Sequence, residues 1–190
     1  MSSKEGMSSK KSDRIHVAGA LAFILVFGGI LSFGRHIVAS SRPVEDSDFA
    51  IKAAQGGLAE VKMGQLAQGK GTNPAVKTFG NRMVADHKKA GEELKQIASR
   101  QGIKLPNDLS APDQDVYIKL LKLDGDAFDK EYARLMVKDH RDDVKEFQEE
   151  AKTGKNQYLK DFAGQTLPTL QEHLKQAREL AQTVGANAAM

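Results

Sequence analysis

Four long segments between residues 46 and 184 repeat apolar or small residues at intervals of three and four, which is the spacing of an amphipathic α-helix. Each segment is roughly 22–29 residues long, and short turns separate one from the next. No segment alternates apolar and polar residues as a half-buried strand does. We therefore predict an all-α domain over residues 46–184, an up-down four-helix bundle, because helices of this length joined by short turns pack side by side.

Local signals place the ends of these helices. Ser47 or Asp48 is a suitable cap for the first helix, and Asn73 before Pro74 is a strong start for the second. A shorter apolar pattern over 110–123 predicts an extra short helix between the second and third long helices, packed across one end of the bundle. Residues 185–190 are predicted to be a tail.

The first 45 residues differ from the rest of the chain. Residues 1–14 are basic, and residues 15–34 form an apolar run of nearly the length that spans a membrane, followed by a linker over 35–45. The run predicts an N-terminal membrane helix that is retained as a signal anchor, or a signal segment that is cleaved, and the remaining alternative is a buried helix of a soluble protein. In the first two cases the bundle lies outside the cytoplasm, in the periplasm, anchored in the inner membrane through residues 15–34 or exported.

Charge and composition exclude several functions. The net charge is +3, and residues 1–46 carry six Lys or Arg against four Asp or Glu, so the bundle itself is almost neutral. A neutral domain has no positive field to hold a polyphosphate, and we expect no nucleic-acid partner. Cysteine is absent, which excludes thiolate ligands and cysteine nucleophiles. Because Gly-x-Ser-x-Gly is also absent, we expect a protein that is not an enzyme.

Three histidines carry the functional signal. The stretch Met83-Val84-Ala85-Asp86-His87 returns as Met136-Val137-Lys138-Asp139-His140, and His173 occupies the fourth long helix. All three histidines fall on the apolar stripe of their helices, about 20–25 Å into each helix. Glu60 lies mid-way along the first helix. One inward ligand per helix at one level is how bundles build metal sites, so we predict one transition metal ion, zinc, iron or copper.

Neighbouring side chains extend this hypothesis. Asp86, Asp139 and Asp143 lie beside the histidines or one turn away, where they can orient the imidazoles or remain as exposed helix charges. Met83 and Met136 each precede a histidine by four residues and so share its face, as copper(I) ligands or as core filler. The competing interpretation is a polar core whose histidines only bond with one another, or a pH sensor.

Residues 46–180 resemble a bacterial family of exported or outer-membrane proteins, classed as a domain of unknown function with a ferritin-like four-helix bundle. The residues that carry the resemblance are Asp48-Phe49, Ala59-Glu60-Val61 with Gly64, Phe79-Gly80 with Met83 to His87, Phe128-Asp129-Lys130-Glu131-Tyr132, Asp139-His140, and Leu167-Pro168-Thr169-Leu170-Gln171-Glu172-His173-Leu174. The resemblance implies a fold and an envelope location but no activity.

One departure from ferritins narrows the expected chemistry. Di-iron bundles place a glutamate three residues before each ligand histidine, and here those positions hold Val84 and Leu170. Without bridging carboxylates we expect neither ferroxidase nor iron-storage chemistry. Three functions remain open at this point. The first is metal handling or envelope stress protection by a mononuclear site, and the second is a structural or interaction bundle without metal or catalysis. The third is an enzyme that uses an open coordination position of the metal.

Overall fold

The computed structural model describes residues 44–186. Within that range the chain contains no strand, which confirms the all-α prediction and the extra short helix. It forms the helices α1 (Val44–Lys70), α2 (Pro74–Gln101), α3 (Ala111–Leu121), α4 (Gly125–Thr153) and α5 (Gln157–Thr183).

The helix starts follow the local signals with one exception. The Asn73 side chain accepts a hydrogen bond from the Ala75 backbone N–H at 2.9 Å, as expected for the cap of α2. The predicted caps of α1 were wrong, because the helix begins at Val44 and includes both Ser47 and Asp48. The carboxylate of Asp46, which also lies inside α1, accepts hydrogen bonds from the turn between α4 and α5.

The turn between α1 and α2 is held by a carboxylate of α4. Asp129 accepts hydrogen bonds from the backbone N–H groups of Thr72, at 3.1 Å, and Asn73, at 2.7 Å, and from the Thr72 hydroxyl at 2.9 Å. The Asp129 side chain is buried. Several charge-assisted hydrogen bonds offset the cost of burying the carboxylate, and they satisfy donors that α2 leaves open. The first turns of α4 therefore lie level with the start of α2.

The turn between α4 and α5 is held in the same way by α1. The buried Asp46 carboxylate accepts from the backbone N–H groups of Lys155, at 3.1 Å, and Asn156. Asp46 and Asp129 are 83 residues apart, as are Asn73 and Asn156, which cap α2 and α5. The α1–α2 and α4–α5 hairpins thus share one register, and each stabilises the turn of the other.

These contacts fix the directions of the helices. The Asn156 side chain donates to the Gln101 side chain at 2.8 Å, so α2 ends where α5 begins, at the end of the bundle opposite the Asp129 contacts. Since α4 also starts beside Asp129, α2 and α4 run in the same direction. The predicted up-down order therefore holds within each hairpin but not between them, and the connection from α2 to α4 crosses the length of the bundle.

The short helix α3 lies within this connection. It packs against α1 and α4, so the prediction that it crosses one end of the bundle was wrong. Lys119 of α3 donates to Glu131 of α4 at 2.9 Å, and Leu120 is fully buried. The reason is that a crossover running along the bundle can bury its apolar side against the helices that it passes.

The α1 and α2 backbones approach closely through two glycines. A Cβ atom on Gly64 would lie 2.8 Å from the Gly80 carbonyl oxygen, and one on Gly80 would lie 2.7 Å from the Ala67 Cβ. Both distances are below ordinary contact, so larger residues would push the helices apart.

The buried apolar residues form two clusters with a polar layer between them. On α2, the larger cluster contains Met83 and the smaller one contains Leu94, and His87 lies between these two residues. On α4, Val137 and Phe147 bracket His140 in the same way. The bundle therefore places its polar groups near mid-length, with apolar packing above and below.

Glu150, near the end of α4, is a buried carboxyl whose Oε1 has no hydrogen-bond partner among residues 44–186. Its burial, followed by the nearby Asp46 and Glu146 charges, raises its pKa to about 7. The pKa in an unfolded chain is about 4.3, so the folded state binds this proton more tightly. The resulting stabilisation is fully present below about pH 4 and is lost as the pH rises through 7.

Replacing this carboxyl should therefore reduce the pH dependence of stability. We expect Glu150→Gln to raise the free energy of unfolding by about 1 kcal/mol at pH 8 and to change it little at pH 4.5. Urea unfolding at both pH values measures the difference, and the exposed neighbour Glu149→Gln is the matched control. The same increment for Glu150→Gln at both pH values would contradict the assignment.

The predicted N-terminal membrane helix over residues 15–34 lies outside the described residues. Among the helices of residues 44–186, none is both long and apolar enough to cross a membrane.

Candidate metal centre

Each long helix contributes one of the predicted ligands to the polar layer. Glu60 comes from α1, His87 from α2, His140 from α4 and His173 from α5, and their exposed fractions range from 0 to 8 %. One ring nitrogen from each histidine lies within 4.8 Å of the others. Asp129 lies at the level of Asn73, so α4 begins one turn before that level.

The His140 ring is oriented by its own helix. Its Nδ1 lies 2.9 Å from the Met136 carbonyl oxygen, one turn earlier. Because a carbonyl oxygen only accepts, the Nδ1 atom carries the hydrogen in this contact. The neutral ring then has its free lone pair on Nε2, which faces the bundle interior near Glu60 Oε1 at 3.3 Å.

The His173 ring is oriented by a carboxylate from α2. Its Nε2 lies 2.8 Å from Asp86 Oδ2, which also accepts from Arg82 Nε at 3.2 Å. An ionised carboxylate only accepts, so Nε2 is the donor and the lone pair of the neutral ring is on Nδ1. Asp86 therefore contacts a histidine on another helix and not its sequence neighbour His87.

The His87 ring is oriented by the predicted fourth ligand. Its Nδ1 lies 2.9 Å from Glu60 Oε2, which leaves the lone pair of the neutral ring on Nε2. A Cβ atom on Gly57 would lie 3.8 Å from His87 Nδ1, an ordinary contact, so the ring leaves room for no more than a methyl group there. A longer side chain at position 57 would compete with the imidazole for that space.

The remaining polar atoms of the cluster are buried and lack hydrogen bonds. Within the described residues, His87 Nε2, His140 Nε2, His173 Nδ1 and Glu60 Oε1 have no hydrogen-bond partner. A buried polar atom without a partner costs about 1–3 kcal/mol, so four of them in one place require an explanation. All four have lone pairs when the rings are neutral, and only a cation or protons could satisfy them together.

The ionisation states of the four side chains favour the binding of a cation. Burial raises the pKa of Glu60, but His87 and His140 outweigh it and lower the pKa to about 2, so the carboxylate is ionised. Burial lowers the pKa of His140, and burial together with the other imidazoles lowers the pKa of His173 to about 4. For His87, burial is outweighed by the Glu60 charge, which raises its pKa. At neutral pH the layer thus offers at least two neutral imidazoles and one carboxylate.

This donor set suits a transition metal. Zinc is held by imidazole nitrogens and carboxylate oxygens at about 2.0–2.2 Å, which places tetrahedral ligand atoms about 3.3 Å from one another. The 3.3 Å between Glu60 Oε1 and His140 Nε2 already matches this separation. Relative side-chain shifts of about 1.5 Å would bring the histidine nitrogens, now within 4.8 Å, to the same spacing.

The other predicted residues lie around the cluster. Asp139 and Asp143 are partly buried, and burial together with the Glu60 charge raises the pKa of both, to about 7 for Asp139. Met83 and Met136 are fully buried in the larger apolar cluster. The polar contribution of Met136 comes from its backbone carbonyl, a role that the side-chain pattern does not reveal.

The family of the chain follows from its match over most of this fold. Residues 37–180 match the family described as Domain of unknown function (DUF4142). The chain belongs to the DUF4142 family. The matched range contains all of α1, α2, α3 and α4, and most of α5, so every residue of the candidate metal centre lies within the DUF4142 domain.

Solved structures of another family share the fold of this DUF4142 domain. A DUF305 protein from Streptomyces coelicolor, described as secreted, has a TM-score of 0.66 at 15 % identity, and the match covers 77 % of this chain and 96 % of that one. A DUF305 fragment from Deinococcus radiodurans has a TM-score of 0.62 at 12 % identity, covering 74 % and 95 %. No curated protein matches the chain significantly.

Proposed function

We propose that this DUF4142 protein binds one transition metal ion in the middle of its bundle through His87, His140 and His173, with Glu60 as a fourth ligand. The observation that carries the proposal is the set of three buried imidazoles, each held by one ring nitrogen and each with the other nitrogen unpaired. Bundles that use histidines only for packing have no reason to leave three buried ring nitrogens in one layer without a hydrogen-bond partner.

The outer contacts support the same function. Ligand histidines usually donate their second ring N–H to a carboxylate or a backbone carbonyl, which fixes the tautomer and raises the basicity of the ligand. Here Asp86, Glu60 and the Met136 carbonyl fill that role for His173, His87 and His140. The nitrogen and oxygen donors suit zinc, iron or copper, and the physiological role would be metal handling or protection against envelope stress.

The proposed location is extracytoplasmic. It is supported by the apolar run over residues 15–34 behind a basic N-terminus, and by the description of the Streptomyces DUF305 protein as secreted. We also propose that the run attaches the protein to the inner membrane unless it is cleaved. The single long crossover between α2 and α4 supports the assignment of the bundle to the ferritin-like type, which has one such connection.

A second candidate function is a structural or interaction bundle without metal. The observation in its favour is the contact of His87 Nδ1 with Glu60 Oε2 at 2.9 Å. If His87 is protonated, this contact is a buried ion pair that needs no further cation. The two candidates differ in whether His87 Nε2 carries a proton or binds a metal ion.

Metal analysis separates the two. Protein purified without a histidine tag is equilibrated with zinc, copper or iron, passed through a desalting column and analysed by mass spectrometry of the elements. We expect one ion per chain for wild type and fewer than 0.1 per chain, about a tenfold loss or more, for the triple change His87→Ala, His140→Ala and His173→Ala. The control Met83→Leu with Met136→Leu should keep the full ion. Wild-type protein that retains none of the three metals would refute the proposal.

A further inference from the structure

A cavity of about 570 Å³ lies beside the metal centre. Its volume is within the range of sites for small organic ligands, which is about 300–1,000 Å³. Small residues on α1 and α2 create the space, among them Ala53, Ala54 and Ala90. Phe147 of α4 and Phe162 of α5 form part of the remaining wall. The wall is therefore mostly apolar and suits a hydrocarbon.

One part of the cavity wall is polar and belongs to the metal centre. Glu60 and His87 line the cavity there together with Asp143 of α4. His87 is only 8 % exposed, and its Nε2 has no hydrogen-bond partner among the described residues. A molecule in the cavity would place its polar end beside these two ligands while its body contacts apolar side chains, and it would reach the ion through side-chain shifts like those that metal binding itself requires.

The charge of the metal centre determines which polar group a ligand in the cavity should carry. A divalent ion with three neutral imidazoles and one carboxylate has a net charge of +1, so an anionic oxygen donor would neutralise it. Zinc accepts such an additional ligand by expanding from four to five coordination. At the surface, the exposed Lys88 and Lys95 line the cavity against the single exposed acid Glu92, which favours the entry of an anion.

We propose that the cavity binds a medium-chain monocarboxylic acid, with its alkyl chain along the apolar wall and its carboxylate on the metal ion. The proposal rests on the metal site proposed above. A ligand with an apolar body and one anionic end is the class that matches an apolar cavity with a single cationic end.

Calorimetric titration with decanoate tests this inference on the full chain. Zinc-loaded wild type should bind one decanoate, and metal-free protein should bind it at least tenfold more weakly. Decanol, which has the same chain but no charge, should also bind zinc-loaded protein at least tenfold more weakly. Zinc content is measured on the same samples. Protein that holds zinc but not decanoate refutes this inference alone, whereas protein that holds no zinc refutes the metal site as well.

A variant that fills the cavity locates the bound acid. Ala54→Leu should weaken decanoate binding at least tenfold while the zinc content stays at one per chain, and Ala127→Leu, at an exposed position of α4 outside the cavity lining, should leave binding unchanged. If Ala54→Leu loses zinc or helix content, Ala90→Leu in the α2 part of the cavity lining takes its place. Unchanged decanoate affinity in the folded, zinc-loaded cavity variant would place the acid elsewhere and overturn the proposal.

Discussion

Zinc is expected to raise the free energy of unfolding of this protein by about 4 kcal/mol when free zinc is a thousand times its dissociation constant. For a domain of this size the increase corresponds to roughly 10–15 °C in the unfolding midpoint. The physical reason is that the ion binds four groups from four helices in the folded state, and the unfolded chain cannot bring them together. Thermal unfolding followed by circular dichroism, with and without zinc, measures the shift.

One histidine should account for most of this shift. His140 is fully buried and presents its unpaired Nε2 beside Glu60 Oε1, and the shorter side chain of His140→Asn cannot reach the same position. We expect the zinc-dependent increase in this variant to fall below about 1 kcal/mol. The increase is the difference between the zinc-loaded and the metal-free form of the same variant, so a change in metal-free stability does not affect it.

Phe79→Leu is the matched control for lost packing. The Phe79 ring contacts the His140 ring edge-on, with centroids 6.2 Å apart, but it supplies no metal ligand. We expect this change to lower metal-free stability by about 1 kcal/mol and to preserve the zinc increment. If zinc stabilised His140→Asn as much as it stabilises wild type, His140 would not be a metal ligand.

Asp129→Ala is expected to lower the free energy of unfolding by about 3 kcal/mol, independently of metal. The carboxylate accepts hydrogen bonds from two backbone N–H groups and one hydroxyl at the α1–α2 turn, and its removal takes the charged acceptor away from three part-buried donors. Urea unfolding of the metal-free protein measures the loss. The exposed Asp126 in the first turn of α4 is the control, and Asp126→Ala should cost less than about 1 kcal/mol.

The reciprocal contact makes the same prediction at the other end of the bundle. Asp46→Ala should cost a similar amount, because Asp46 accepts from Lys155 and Asn156 as Asp129 does from Thr72 and Asn73. A loss no larger than that of Asp126→Ala in both variants would show that the turns hold without these carboxylates.

The clearest repeat in the sequence, the Met-to-His motif, says less about tertiary contacts than does a recurring interval of 83 residues. The segments Met83 to His87 and Met136 to His140 have similar sequences, but their aspartates have different partners. Asp86 contacts the ring of His173, whereas Asp139 Oδ1 lies 3.8 Å from Lys138 Nζ. The 83-residue interval between Asp46 and Asp129 was the signal that could have found the interlocking turns. It also pairs Glu60 with Asp143, both of which line the cavity.

The sequence by itself determined the helices, most of their ends, and the inward face on which Glu60, His87, His140 and His173 lie. These features depend on residues within one or two turns of each other, through the 3.6-residue period and the capping groups. The tertiary structure decided the direction of α4, the partner of each imidazole and the space beside the metal centre. Those features join residues as far apart as Asp86 and His173, and no local pattern specifies which of several possible partners is nearest.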